Sequence, residues 1–250
     1  MAKQRADLLV VEQGLAETRS RAQALLLAGS IVAVDAKSGG ERRVDKPGEL
    51  LTDGTMLRLK GEPLRYVSRG GLKLEAALDR FHVDPAGKIC MDVGASTGGF
   101  TDCLLQRSAA KVYAVDVGTN QLAWKLREDP RVVVIEQTNI RALDAALVPD
   151  PVSLTVIDVS FISLALVLPH VVRLSARPSE LVALVKPQFE VGRADVGKGG
   201  IVRDPVARKR ALDSTAAIAA ENGYTQVSSM DSPILGAKGN HEFLLHARIR

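Results

Sequence analysis

The chain has only two cysteines among its 250 residues, Cys90 and Cys103. That is too few for a disulfide framework or a four-cysteine zinc site, and it fits a reducing compartment. Cys90 falls in an apolar strand-like run and Cys103 in a helical one, so both are expected to be structural. Long hydrophobic runs are missing as well. The longest, "FISLALVLPHVV" at 161–172, is interrupted by Pro169 and His170 and is too short to span a bilayer. The opening "MAKQRADLLV" has neither the apolar stretch nor the small-residue cleavage site of a secretory signal. Together these absences predict a cytoplasmic protein without a membrane partner. An excess of one charge is confined to one place. Residues 1–73 hold 13 Lys and Arg against 9 Asp and Glu, which is the whole net charge of +4, and the remainder balances at 20 against 20. A surplus of that size does not by itself separate a nucleic-acid surface from a solvated basic face.

What is present divides the chain near the same point. A hydrophobic content of 46% is enough to bury a core. From Arg5 to Ala28 apolar residues recur at helical spacing (Leu8, Leu9, Leu15, Ala22, Leu25, Leu26), with Gly14 ending one short helix and Ser20 as N-cap of the next. Strand-like pieces follow, "SIVAVD", "ELLTDG" and "TMLRLK", separated by turn residues, with Gly61 to Pro63 as the exit. The spacing predicts a small α+β domain over 1–61, a linker over 62–68 and a larger domain over 69–250.

The segment "RADLLVVEQGLAETRSRAQALLLAGSIVAVD" resembles the small RNA-binding domain first known from a ribosomal small-subunit protein, here called the S-four domain. That resemblance implies that Arg5, Arg19 and Arg21 contact RNA phosphates, which supply affinity without reading bases.

From Lys88 onward strands and helices alternate, which argues for a parallel sheet covered by helices. Strands are expected at 88–93, 111–116, 132–136, 154–158, 180–186, 224–230 and 242–249. Helices are expected at 98–107, 120–128, 141–147, 163–176 and 205–222. No crossover helix separates the last two strands, so at least one joins the sheet antiparallel.

Chemistry-bearing residues gather at the expected strand ends. "DVGASTGGF" at 92–100 follows the first strand, and its Gly94, Ser96, Gly98 and Gly99 suit a tight turn and close ligand approach at a helix start. Asp116 ends the next strand, where a carboxylate accepts hydrogen bonds from ribose hydroxyls. A dinucleotide and S-adenosyl-L-methionine both fit that pattern. Asp158 ends the fourth strand and Lys186 the fifth, at the edge where open α/β folds place ligands. Singly, Asp158 reads equally as a turn residue and Lys186 as a snorkelling strand-end lysine. Lys73 lies in the first turn of a helix opened by Gly70 and Gly71, against the macrodipole. Glu242 starts the last strand.

The combination "YVSRGGLKLEAAL", "DVGASTGGFTDCLL", "AVDVGTNQLAWKLREDPRV", "DVSFISL", "LVKPQFEVG" and "GNHEF" resembles, over nearly the full length, the TlyA family of bacterial ribosomal RNA 2′-O-methyltransferases. Those proteins join an S-four domain to an FtsJ-like methyltransferase domain. The resemblance implies an α/β, Rossmann-like S-adenosyl-L-methionine-dependent enzyme with a seven-stranded, mostly parallel sheet, a preceding α+β RNA-binding domain, and no metal. FtsJ-like enzymes use a Lys-Asp-Lys-Glu tetrad, matched here by Lys73, Asp158, Lys186 and Glu242, with Lys186 as base toward a ribose 2′-hydroxyl. For the cofactor it implies Asp92, Gly94, Ser96, Gly98, Gly99, Asp116 and Asp158, with Asn139 and Ile140 at the adenine, although Asn139 is read equally as a helix N-cap. Arg69, Lys198 and Arg203 join the RNA-contacting set. The family's linker reads arginine, any residue, tryptophan, valine, whereas this chain has "LRYVS" without the tryptophan. The partner implied is ribosomal RNA or a ribosomal subunit, and the short tail after the last strand resembles the subgroup acting on the large subunit. Three other readings remain: a nicotinamide-dependent oxidoreductase, the haemolysin often named in this family, and a non-catalytic ribosome-associated factor.

Overall fold

In the computed structural model, which describes residues 3–34, 41–52, 55–60, 65–236 and 239–250, the chain divides into two compact units, Met1–Leu64 and Arg65–Arg250. The expected exit at Gly61 to Pro63 lies outside the described residues, as do Asp35, Asp53 and Gly54 of the strand-like pieces.

The first unit runs β1 (Lys3–Arg5), α1 (Ala6–Glu12), α2 (Arg19–Leu27), β2 (Ile31–Val34), β3 (Glu41–Val44), β4 (Leu50–Thr52) and β5 (Met56–Leu59). An antiparallel sheet in the order β3-β2-β5 and a β1-β4 pair support the two helices. Leu9, Val10, Leu25, Leu26, Ile31 and Leu57 share one core. Leu8 departs from the expected apolar face and is 40% exposed. The cap of α2 also differs from expectation. Thr18, in extended conformation, accepts the Arg21 N–H at 3.2 Å, which leaves Ser20 inside the first turn.

The apolar core of this unit encloses a charge. Asp7 is fully buried, and its carboxylate accepts from Arg5 (two bonds at 3.0 Å), from Arg19 at 2.9 Å and from Gln23 Nε2 at 2.9 Å. Two of the arginines expected to face RNA are therefore also the partners that make this burial tolerable.

The second unit runs α3 (Gly70–Phe81), β6 (Ile89–Val93), α4 (Gly99–Gln106), β7 (Lys111–Val115), α5 (Trp124–Arg127), β8 (Val132–Ile135), β9 (Val152–Ile157), α6 (Leu168–Leu174), β10 (Ser175–Val185), α7 (Pro187–Glu190), α8 (Pro205–Glu221), β11 (Thr225–Asp231) and β12 (Phe243–Ile249). One seven-stranded sheet has the order β11-β12-β10-β9-β6-β7-β8, and β12 is antiparallel to both of its neighbours. Both faces are buried, and strand periodicity sorts the side chains. Leu181, Ala183 and Val185 of β10 join the core under α6 and α8, while Val182 and Leu184 join the core under α3 and α4.

Three expected helices are cut down, each for a local reason. Over 120–128 only Trp124–Arg127 is helical, because the Glu136 carboxylate takes the N–H groups of Asn120, Gln121 and Leu122 at 2.9, 3.2 and 3.5 Å and wraps them into a loop. Over 141–147 two 3-10 turns replace one helix, since Asp144 caps a second start by accepting the Ala146 N–H at 2.9 Å. Over 163–176 a 3-10 turn at Leu164–Leu166 precedes α6, which restarts with Pro169 in its first turn.

Replacing Asp7 by Asn removes the charge that holds the two arginines and is expected to destabilise the first unit by about 2–3 kcal/mol. Hydrogen bonding from Arg5, helped by Gln23 and Arg19, holds the Asp7 carboxyl well below the usual carboxylate range although burial opposes it. The stabilisation is then complete above about pH 4, the ordinary carboxylate value, and is lost as pH falls through the lowered native value. Amide hydrogen exchange of the α1 and α2 residues between pH 5 and pH 2.5 is expected to show this slope in the wild type and a flatter one in D7N.

Candidate active site

Gly94 leaves β6 with φ +87°, and a Cβ there would sit 2.5 Å from the Asp158 carbonyl oxygen. The ends of β6 and β9 touch through backbone alone. Ser96 follows at φ +47°, in the left-handed region; its N–H donates to Asp116 Oδ2 at 2.8 Å and its hydroxyl to Gln121 Oε1 at 3.1 Å. The other Asp116 oxygen accepts the Gly118 N–H at 2.6 Å, so this carboxylate bridges the glycine loop and the turn after β7. Gly99 opens α4 where a Cβ would lie 2.2 Å from Ser68 Oγ and 3.0 Å from the Gly71 nitrogen. The starts of α3 and α4 therefore lie against each other beside the loop.

α3 carries Lys73 into a nearly enclosed position. Its Nζ lies 2.5 Å from Glu242 Oε2, and the two side chains are 11% and 2% exposed. Lys186, just beyond β10, places Nζ 2.5 Å from Asp158 Oδ1 and donates to Ser160 Oγ at 2.9 Å. Each lysine has one carboxylate, so the four charges cancel in two pairs. Lys73, Asp158 and Lys186 line one cavity of about 320 Å³ together with Arg69, Gly94 and Ser96.

The other residues expected at the site are distributed differently. Asp92 lies behind the loop rather than in the cavity wall: it is fully buried, Oδ2 accepts from Thr101 Oγ1 at 2.7 Å, and Oδ1 has no hydrogen-bond partner. Burial pushes its carboxyl up to about 7, with the nearby Asp158 charge adding to the effect. Gly98 packs against Leu126 and Leu122 outside that wall. Asn139 caps the turn at Ile140–Ala142 by accepting the Arg141 N–H at 3.0 Å, and Ile140 is in the apolar core. Arg21 is half-buried on α2, and Lys198 and Arg203 are exposed near the turn at 197–201. Cys90 and Cys103 are free and buried, and burial pushes both thiols up to about 12.

Several participants carry no sequence signal strong enough to single them out. Ser160 is an ordinary serine two residues past Asp158 until Lys186 reaches it. Gly236 lies against the Glu242 carboxylate, where a Cβ would be 1.9 Å from Oε1. Glu190 accepts from Ser163 Oγ at 2.7 Å and from the Leu164 N–H at 2.9 Å, joining the loop after β9 to α7. Between those segments Phe161, 90% exposed and at φ +64°, meets the Phe189 ring with centroids 5.1 Å apart. Among the described residues no cluster of three or more His, Cys, Asp or Glu side chains is placed to hold a metal ion.

This sheet order, with its last strand reversed and a glycine loop after β6, its first strand in sequence, defines a Rossmann-like methyltransferase. Residues 66–249 match the FtsJ-like methyltransferase family. The chain is 53% identical to "Putative rRNA methyltransferase YqxC" of Bacillus subtilis, covering 98% of this chain and 85% of that one. It is 46% identical to "16S/23S rRNA (cytidine-2'-O)-methyltransferase TlyA" of Mycobacterium tuberculosis, covering 98% and 89%. A solved structure described as "Putative hemolysin from Streptococcus thermophilus" superposes with a TM-score of 0.76 at 49% identity, covering 100% of this chain and 89% of that one. The chain belongs to the TlyA family of FtsJ-like methyltransferases.

S-adenosyl-L-methionine is the methyl donor, and the residues present fit it. Gly94 keeps the loop free of side chain where β6 ends, Asp116 has lone pairs left for hydroxyls, and α4 begins beside the cavity with no side-chain cap on its first turn.

Gly236→Ala is expected to displace the Glu242 carboxylate from Lys73 without unfolding the chain, because the added methyl meets the end of a side chain and Gly236 has no positive φ. Methyl transfer is expected to fall at least tenfold while the thermal midpoint changes little; unchanged activity would show that the Lys73–Glu242 contact is not needed.

Proposed function

We propose that this protein transfers a methyl group from S-adenosyl-L-methionine to the 2′-hydroxyl of a cytidine in ribosomal RNA, with the large subunit as its principal substrate. The observation that carries the reading is the convergence of the Lys73–Glu242 and Lys186–Asp158 pairs on one cavity beside the glycine loop. The substrate class comes from the names of the TlyA relatives. Residues 1–61 act as an S-four domain that docks on RNA, and the substrate is ribosomal RNA or a ribosomal subunit in the cytoplasm.

The cofactor supplies a methyl group on a cationic sulfur that departs as a neutral thioether. The chain must orient a hydroxyl and remove its proton. An uncharged lysine amine has two N–H groups and one lone pair. Lys186 touches the Asp158 carboxylate and donates to Ser160, which holds its Nζ at the cavity, where the lone pair of the uncharged amine can take the proton of a 2′-hydroxyl. Asp158 then stabilises the ammonium that forms. Lys73, fixed by Glu242, adds a positive charge that favours an alkoxide-like oxygen and an adjacent phosphate.

Phe161 supports an RNA substrate rather than a small molecule. A phenyl ring left 90% exposed three residues from Asp158 suits the face of an unstacked base.

Wild-type protein is expected to transfer radiolabelled methyl to unmodified large subunits. Lys186→Ala and Lys186→Arg are both expected to lose about 10²–10⁴-fold in rate while still binding S-adenosylhomocysteine, since arginine keeps the charge but cannot accept the proton. Phe161→Ala is expected to raise the KM for RNA about tenfold, within the range of one stacking contact. A wild-type protein that labels neither subunit, or a K186R protein of normal rate, overturns the reading.

A further inference from the structure

The turn at 197–201 and the segment that carries Glu242 are joined by one buried side chain. Gly197 donates to the Ile201 carbonyl at 3.0 Å, and Gly199 and Gly200, at φ +83° and +79°, turn the chain back at an exposed tip that carries Lys198. Arg203 follows, its guanidinium lying over Gly197. Asn240, 3% exposed, accepts the Val202 N–H through Oδ1 at 3.1 Å and donates through Nδ2 to the Gly200 carbonyl at 2.9 Å. Its own carbonyl accepts the Gly236 N–H at 2.8 Å, and Gly236 lies against the Glu242 carboxylate while Ile234, Leu235 and Gly236 line the cavity. The Glu242 carbonyl in turn accepts the Ser232 N–H at 2.9 Å. A two-residue step therefore separates the side chain that grips the basic turn from the one that holds Lys73.

The geometry points to Asn240 as a positioning residue that ties an RNA-phosphate contact at Lys198 and Arg203 to the placement of Glu242, so that the substrate backbone helps to set the Lys73–Glu242 pair. This rests on the methyltransferase reading above and adds to it a link between substrate docking and the site. Lys198 and Arg203 are exposed, cationic and mounted on a glycine turn, the form in which side chains meet phosphates without reading sequence. Asn240 uses both ends of its amide on that turn, and no shorter or purely acceptor side chain reproduces both bonds.

The test uses the full chain with large subunits and compares K198Q, R203Q, N240A, N240D and the K198Q/N240A double variant. K198Q and R203Q are expected to weaken RNA binding, to lower the slope of log affinity against log salt by about 1 each, and to lower kcat at saturating RNA about threefold or more, because the phosphate contact no longer helps to set the Lys73–Glu242 pair. N240A is expected to lower that kcat about tenfold or more while S-adenosylhomocysteine affinity and the thermal midpoint stay near wild type. In the double variant the loss should be less than the product of the two single losses, since the contact and the pair are then uncoupled. N240D keeps the acceptor for Val202 and loses the donor to Gly200, so its kcat is expected between those of N240A and wild type. Unchanged salt slopes or a wild-type kcat at saturating RNA in K198Q and R203Q, or a wild-type kcat in N240A, overturn the inference. Should the alanine variant fail to fold, a wild-type kcat in N240D does so. A wild-type enzyme that binds subunits and transfers nothing overturns the methyltransferase reading first, and this link with it.

Discussion

Two lysine side chains, each 11% exposed, stand at one edge of the sheet, and the cost of keeping them there organises the unit around them. An ammonium that far from water needs a counter-charge in contact, and each has a single carboxylate in contact. Meeting that requirement takes four separated parts of the chain. Lys73 comes from α3, Asp158 from the end of β9, Lys186 from the end of β10 and Glu242 from the start of β12. The parallel arrangement of β6, β9 and β10 lets neighbouring strands deliver their groups to the same edge, and the reversed β12 delivers its first residues there too. Gly94 adds the last condition, since only a residue without a side chain lets the end of β6 meet the backbone at Asp158.

Much of this was legible in the sequence, because the strands that carry the site read as short apolar runs followed by a polar residue, whereas β11, TQVSSMD, does not. Seven strands form the large sheet as expected, although β10 begins at Ser175, inside the span expected as helix and five residues before the expected strand start, and the reversed strand follows from the missing crossover helix. The helices were harder to read. A carboxylate elsewhere in the chain decided the fate of 120–128: Glu136 draws three backbone N–H groups into a loop, and the local sign is slight, Asn120 in the left-handed conformation at φ +52°. Periodicity likewise runs through Asp144 and Pro169 without registering that each restarts the chain.

At the site, charged groups at strand ends could be singled out because charge there is unusual, whereas the residues that fix those groups look ordinary in one dimension. Ser160, Gly236 and Asn240 gain meaning only from contacts across the fold. Asp92 shows the converse, a carboxylate in a conspicuous motif that the fold withdraws behind the loop and holds through Thr101. Arg5 and Arg19 are basic residues of a resemblance to an RNA-binding domain, yet they also neutralise a buried aspartate. A residue type marks a position as costly; the three-dimensional contacts show what the cost secures.

The strand order has a consequence in time. Lys73 and Glu242 are 169 residues apart in sequence, and β12, the last strand made, is inserted between β10 and β11 rather than added at an edge. A chain synthesised from its amino terminus can form the small α+β unit long before the partner of Lys73 has been translated. The edge with the two ion pairs closes last, when β12 takes its place between two strands already made. Until then the Lys73–Glu242 pair does not exist, and the edge that holds both lysines is finished only when β12 is in the sheet.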